Sequence, residues 1–104
     1  MLIIAGTFQV APERRQEFLV ARAEISRQSR AENGCLEYVS TADPVDPGKV
    51  HLFERWASRA DLDAHLVGRA AVGFASGDVP VLATDIAMYA VAAELPVPRG
   101  PAVG

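Results

Sequence analysis

Two histidines, one cysteine, one tryptophan and two tyrosines supply the less common chemistry of this 104-residue chain. Both histidines and the tryptophan fall in "HLFERWASRADLDAHL", His51 to Leu66. Trp56 ends a strand-like run and His65 sits just inside a helix-like one. With roughly 100° between successive helical residues, His65 lies at the edge of the Leu62/Leu66 stripe, half buried between helix and sheet. Asp61, one turn earlier, is within reach to orient the ring. The chemistry such a set could perform is proton transfer to or from a bound molecule held against an aromatic wall. Two readings stay open. Asp61 is also the natural capping partner of Ser58 and cannot fully serve both, and His65 and Trp56 could simply fill the joint between sheet and helix.

Other chemistries fare worse. Asp61 and His65 share a helix face, but Asp63 points elsewhere and His51 lies on a distant strand. Zinc needs three or four convergent ligands, so no metal is expected. Asp43 and Asp46 read as turn initiators, not calcium ligands. No serine occupies a G-x-S-x-G elbow, and Cys35 has neither a CxxC partner nor a basic neighbour, so it reads as inert packing. The glycines of "GRAAVG" and "FASGDVP" lack the lysine and preceding strand of a phosphate loop. Tyr38 and Tyr89 are either core residues whose hydroxyls reach a partner or donors lining a pocket.

The elements that must position these groups follow from periodicity. "LIIAGTFQV" is a β-branched, apolar strand. Pro12 and Glu13 open a long helix, roughly Pro12 to Asn33, with Phe18, Ala21 and Ile25 as its buried stripe and Arg14, Arg22 and Ser29 at the margins. Gly34 suits the left-handed position at its end. "CLEYVSTA" alternates, with Leu36 and Tyr38 on one face and Cys35 and Val39 on the other. "DPVDPGK" is a turn, and "VHLFERW" a second hairpin strand with Val50, Leu52, Glu54 and Trp56 on one face. Ser58 and Asp61 form a capping-box pattern before a helix carrying Leu62 and Leu66 inward. A short, imperfect helix is expected before Pro80, then a last strand in "ATDIAMYAVAA". The order β-α-β-β-α-β is the ferredoxin-like split βαβ sandwich, an α+β fold. Residues 1–93 form that domain and residues 94–104 a Pro/Gly-rich arm. All four strands carry apolar residues on both faces, more than one helical layer covers, so a homodimer with two sheets face to face is expected.

A net charge of −3 offers no basic stripe for nucleic acid. The opening apolar run is too short for a membrane span and lacks a basic leader, and one cysteine suits a reducing compartment. A cytoplasmic protein without nucleic-acid or membrane partners is expected.

The stretch "GCLEYVSTADPVDPGKVHLFERWASRADLDAHL" resembles the antibiotic biosynthesis monooxygenase (ABM) domain family. A Gly-Cys-Leu strand entry, an Asp-Pro hairpin turn, a strand ending in glutamate and tryptophan, and a helix with an Ala-His pair recur there. The resemblance spans about residues 1 to 93 and implies a dimeric α+β barrel of ferredoxin-like protomers. It also implies a set of activities: oxidation of anthrone- or quinol-type aromatics by dioxygen without flavin, haem or metal, haem degradation, or action on small signalling molecules. The chain departs from the family in places. A second histidine after the first is replaced by the Arg69–Ala70 neighbourhood. Gly6 and Thr7 stand where haem-degrading members need an asparagine, and Leu52 where some anthrone oxidisers carry one. Haem degradation is therefore not expected.

The expectation is a cofactor-independent monooxygenase acting with dioxygen on a small aromatic, quinol, anthrone or polyketide-like compound. His65 would be the proton acceptor or orienter, Trp56 the stacking wall, and Tyr38 or Arg22 the holder of an oxygen substituent. Leu52, Leu62 and Asp61 would complete the substrate site. The rival is a non-catalytic dimeric binding or accessory module, which Leu52, Gly6 and the missing second histidine favour. A cavity that His65 enters favours the enzyme; a filled interior with His65 facing water favours the module.

Overall fold

The computed structural model describes residues 1–70 in full, the backbone of residues 71 and 72, and residues 77–100. Along them run β1 (Leu2–Gln9), one 3₁₀ turn (Pro12–Arg14), α1 (Arg15–Arg30), β2 (Cys35–Ala42), β3 (Lys49–Trp56), α2 (Arg59–Val72) and β4 (Ala83–Ala90). The strands form one antiparallel sheet in the order β2-β3-β1-β4. This is the ferredoxin-like α+β arrangement expected from the element order.

Helix α1 is shorter at both ends than its periodicity suggests. Pro12 sets a tight 3₁₀ turn in which Arg14 N–H bonds Ala11 O, so regular α-helix starts only at Arg15. At the other end Ala31 and Glu32 fold back onto Gln28 and Ser29 carbonyls, and left-handed Gly34 (φ 75°) turns the chain into β2. The buried stripe is Phe18, Arg22, Ile25, Ser26 and Ser29. It is rotated from the expected one, so Arg22 and Ser29 lie inside instead of at the margin. Helix α2 runs through Gly68 to Val72, where a separate short helix was expected; the remainder of that expected helix overlaps residues 73–76, outside the described residues.

Side chains of paired residues in an antiparallel sheet share a face. Val50, Leu52, Glu54 and Trp56 of β3 are buried under the helices. Their partners Phe8, Gly6, Ile4 and Leu2 on β1, and Thr84, Ile86, Met88 and Ala90 beyond them on β4, therefore face the same way. On β2 a bulge between Cys35 and Glu37 changes the phase. Cys35 pairs with Trp56 and Tyr38 with Glu54, so Cys35 and Tyr38 share the helix side. The simple alternation of the sequence put them on opposite faces; the one extra residue reverses that.

Trp56, Phe18, Leu62, Val10 and Val50 are fully buried at the centre of the helix–sheet layer. The helices leave β4 uncovered: every residue of it is exposed, with Ile86 and Met88 on the helix side and Tyr89 on the other. The reverse of the sheet carries Ile3, Ala5, Val39, Phe53 and Ala87 in adjacent registers. Among the described residues no helix is long and apolar enough to cross a membrane.

Candidate functional site

Between the sheet and the two helices lies a cavity of about 300 Å³. Ile4, Phe8, Ile25, Leu52, Leu66 and Ile86 give it apolar walls, and Arg22, Tyr38, Glu54, His65 and Arg69 give it polar ones. Leu66 and Ile86 are partly exposed and mark its mouth beside β4.

The polar groups are ordered by one another. Arg22 Nη2 donates to the Tyr38 hydroxyl at 3.0 Å and Nε to Ser40 Oγ at 3.1 Å. Its guanidinium also stands 5.1 Å from the Phe8 ring centroid, a cation–π contact that steadies a buried charge. Glu54 is buried, and its Oε1 accepts the Trp56 indole N–H at 3.0 Å. Trp56 lies against the His65 ring, centroids 4.6 Å apart and planes at 36°, while Tyr38 stands 5.6 Å from the same ring. His65 Nδ1 meets Glu32 Oε2 at 2.8 Å.

Burial dominates the acid–base behaviour. Desolvation raises the Glu54 carboxyl above the usual glutamate range, opposed by the Trp56 N–H and by the nearby His65 and Arg22. Desolvation likewise raises Tyr38, against the pull of Arg22. Both groups are thereby held toward the neutral form. A carboxyl and a phenol in a largely apolar hollow beside a histidine suit the movement of a proton to and from a bound molecule.

The structure brings four of the seven expected residues to the cavity wall: His65, Tyr38, Arg22 and Leu52. The other three stand elsewhere. Trp56 is one layer back, fully buried behind His65, and braces that ring instead of facing the hollow. Leu62 is fully buried in the core cluster with Trp56, Tyr38 and Ile25. Asp61 completes the Ser58 cap: its N–H donates to Ser58 Oγ at 3.1 Å and its Oδ2 accepts from that hydroxyl at 2.7 Å. The competition between cap and histidine is thus resolved for the cap, and Glu32 takes the histidine. Two acidic residues escaped the sequence reading. Glu54 was signalled by a carboxylate at a buried position of an alternating strand; the Glu32–His65 contact spans 33 residues and leaves no local pattern. Among the described residues no three metal-ligating side chains converge.

Residues 1–74 match the family model described as antibiotic biosynthesis monooxygenase. An uncharacterised protein of Synechocystis sp. is 33% identical over 64 residues, 62% of this chain but only 44% of that protein, so the match spans less than half the relative's length. A candidate antibiotic biosynthesis monooxygenase from Deinococcus radiodurans has a TM-score of 0.83 at 24% identity, over 95% of this chain and 100% of that one. Another from Nitrosomonas europaea has a TM-score of 0.70 at 21% identity, over 89% and 100% of the two chains. At these identities the solved structures show a shared fold.

Proposed function

The chain belongs to the antibiotic biosynthesis monooxygenase family, and from that premise we propose that it oxidises a small aromatic compound of the quinol, anthrone or polyketide-like class with dioxygen. The observation that carries the reading is the hollow itself: half open, apolar on most sides, with Tyr38, Arg22, Glu54 and His65 lining it. A flat aromatic packs between Ile4, Phe8, Leu52 and Leu66, and its oxygen substituent meets Tyr38 or Arg22.

The chemistry asks little of the protein beyond orientation and a proton acceptor. His65 takes the acidic O–H or C–H proton of the substrate. The resulting anion passes one electron to dioxygen, and the radical and superoxide combine into a peroxide. Protonation and loss of water leave a carbonyl. For a methylene between two aryl rings the balance is CH₂ plus O₂ to C=O plus H₂O, with carbon oxidised and one oxygen atom reduced to water. No flavin, haem or metal enters this proposed route.

We also propose that the apolar reverse of the sheet, with Phe53, Val39 and Ile3, packs on a second copy in a homodimer, and that the protein works in the cytoplasm. One observation favours the rival binding module: Leu52, not an amide, lines the cavity. That His65 enters a hollow and does not face water supports the enzyme.

Oxygen uptake with a panel of anthrones and hydroquinones tests the reading. The wild type consumes oxygen with at least one of them, and His65→Ala loses on the order of a hundredfold in rate. Equal rates in the two proteins overturn the role of His65. Ligand-induced thermal stabilisation without any oxygen uptake selects the binding module.

A further inference from the structure

His65 borders two hollows. It lines the inner cavity and also a second, more open hollow of about 340 Å³ bounded by Glu32, Asn33, Asp61, Ala64 and Gly68. Between them the ring is almost wholly buried, at 3% side-chain exposure, while Glu32 on the outer side is 36% exposed.

We propose that Glu32 is the positioning residue of the site: it fixes the His65 tautomer with the proton on Nδ1, so that the bare Nε2 is left for the ligand, and its charge balances the imidazolium formed when that nitrogen takes a proton. The geometry fits this role. An ionised carboxylate only accepts hydrogen bonds, so the 2.8 Å contact with Glu32 Oε2 requires a proton on Nδ1. Trp56, its ring centroid 4.6 Å from that of His65, packs against the imidazole and supports this orientation. The proton balance closes within the pair. The substrate O–H or C–H bond breaks, the Nε2–H bond forms, and the positive ring is held against the Glu32 carboxylate. The same proton returns to the peroxide, and the neutral Nδ1–H ring is restored.

Other charged groups face the ring or lie close by. Glu54 on β3 is buried and tied to Trp56, and Tyr38 on β2 is tied to Arg22 of α1. Asp61 on α2 is tied to Ser58, and Arg69 on α2 donates to Gln28. None of these holds Nδ1. Glu32 alone among the described residues does so, and from the wet side.

This inference rests on the proposed proton-acceptor role of His65, but its first test needs no turnover. Nitrogen-detected NMR of the imidazole shows the neutral ring protonated on Nδ1 in the wild type, and a shift toward the Nε2–H form in Glu32→Ala. An Nε2–H ring in the wild type overturns the proposal. Where oxygen uptake is found, Glu32→Ala lowers kcat roughly tenfold to a hundredfold with little change in KM. Added formate, small enough for the outer hollow, restores part of the loss. Unchanged kcat in Glu32→Ala, or a loss that formate does not relieve, overturns it. An Nδ1–H wild-type ring without oxygen uptake on any panel compound refutes the oxygenase reading alone.

Discussion

The indole N–H of Trp56 donates to Glu54 Oε1 across 3.0 Å, two residues back on the same face of β3. A donor and an acceptor at that spacing lie side by side beneath the helices. There the tryptophan serves three ends: it fills the core, it satisfies a buried carboxyl, and it props the His65 ring.

Glu54 should make the protein less stable as pH rises. Its folded pKa is raised above the unfolded value by burial, so the native state binds more protons than the unfolded one between those two values. The slope of unfolding free energy with pH is then negative in that window, which begins near the ordinary glutamate pKa of about 4.3 and extends upward. Glu54→Gln keeps an acceptor for Trp56 and removes the titration. Urea unfolding at a series of pH values should show a weaker decline in the variant and a more stable protein at neutral pH. Parallel curves would remove this account of Glu54.

Trp56→Phe deletes the indole N–H and leaves Glu54 Oε1 without that donor. Stranding a buried acceptor costs about 1–3 kcal/mol, with a further loss for the smaller ring. Denaturant midpoints measure the stability cost. Oxygen uptake should fall as well, because the support behind His65 shrinks.

Leu62 is completely buried between α2 and the sheet. Leu62→Ala should cost about 2–5 kcal/mol, far more than a change at exposed Val67 on the same helix. A cost below about 1 kcal/mol would mean that this corner collapses around the vacancy.

Phe53 stands on the reverse of the sheet between Ala5 and Val39. If the proposed face-to-face dimer forms, Phe53→Glu should turn it into a monomer in light scattering or sedimentation, because pairing would leave the charge without solvent. A wild type that is already monomeric at micromolar concentration would dispose of the face-to-face dimer.

The sequence was most readable where one period ran undisturbed. In β3 the alternation of Val50, Leu52, Glu54 and Trp56 gives the buried face directly. In α1 the residues 18, 22, 25 and 29 share a helical face as good as any, yet Arg22 and Ser29 looked marginal because they are polar. Arg22 is admitted to the interior by partners far along the chain, Tyr38 and Ser40. Gly6 had a legible glycine and an illegible reason. A Cβ there would strike the β4 backbone at Asp85 and Ile86, so no side chain from that position can enter the cavity. The choice of Glu32 over Asp61 for His65 depends on where α1 unwinds, which periodicity does not give to within a turn. Gly34 shares in that choice: a Cβ on it would strike the Asp61 side chain, so its bareness makes room for the cap.

The bulge in β2 means that this strand holds a spare link. Cys35 and Tyr38 reach consecutive inward stations opposite Trp56 and Glu54 with two residues between them, where an ordinary strand needs one. A chain shortened by a single residue at position 36 would lose the local kink but keep its phenol over the carboxyl. Within β2, that is where a length change can fall without turning the site inside out.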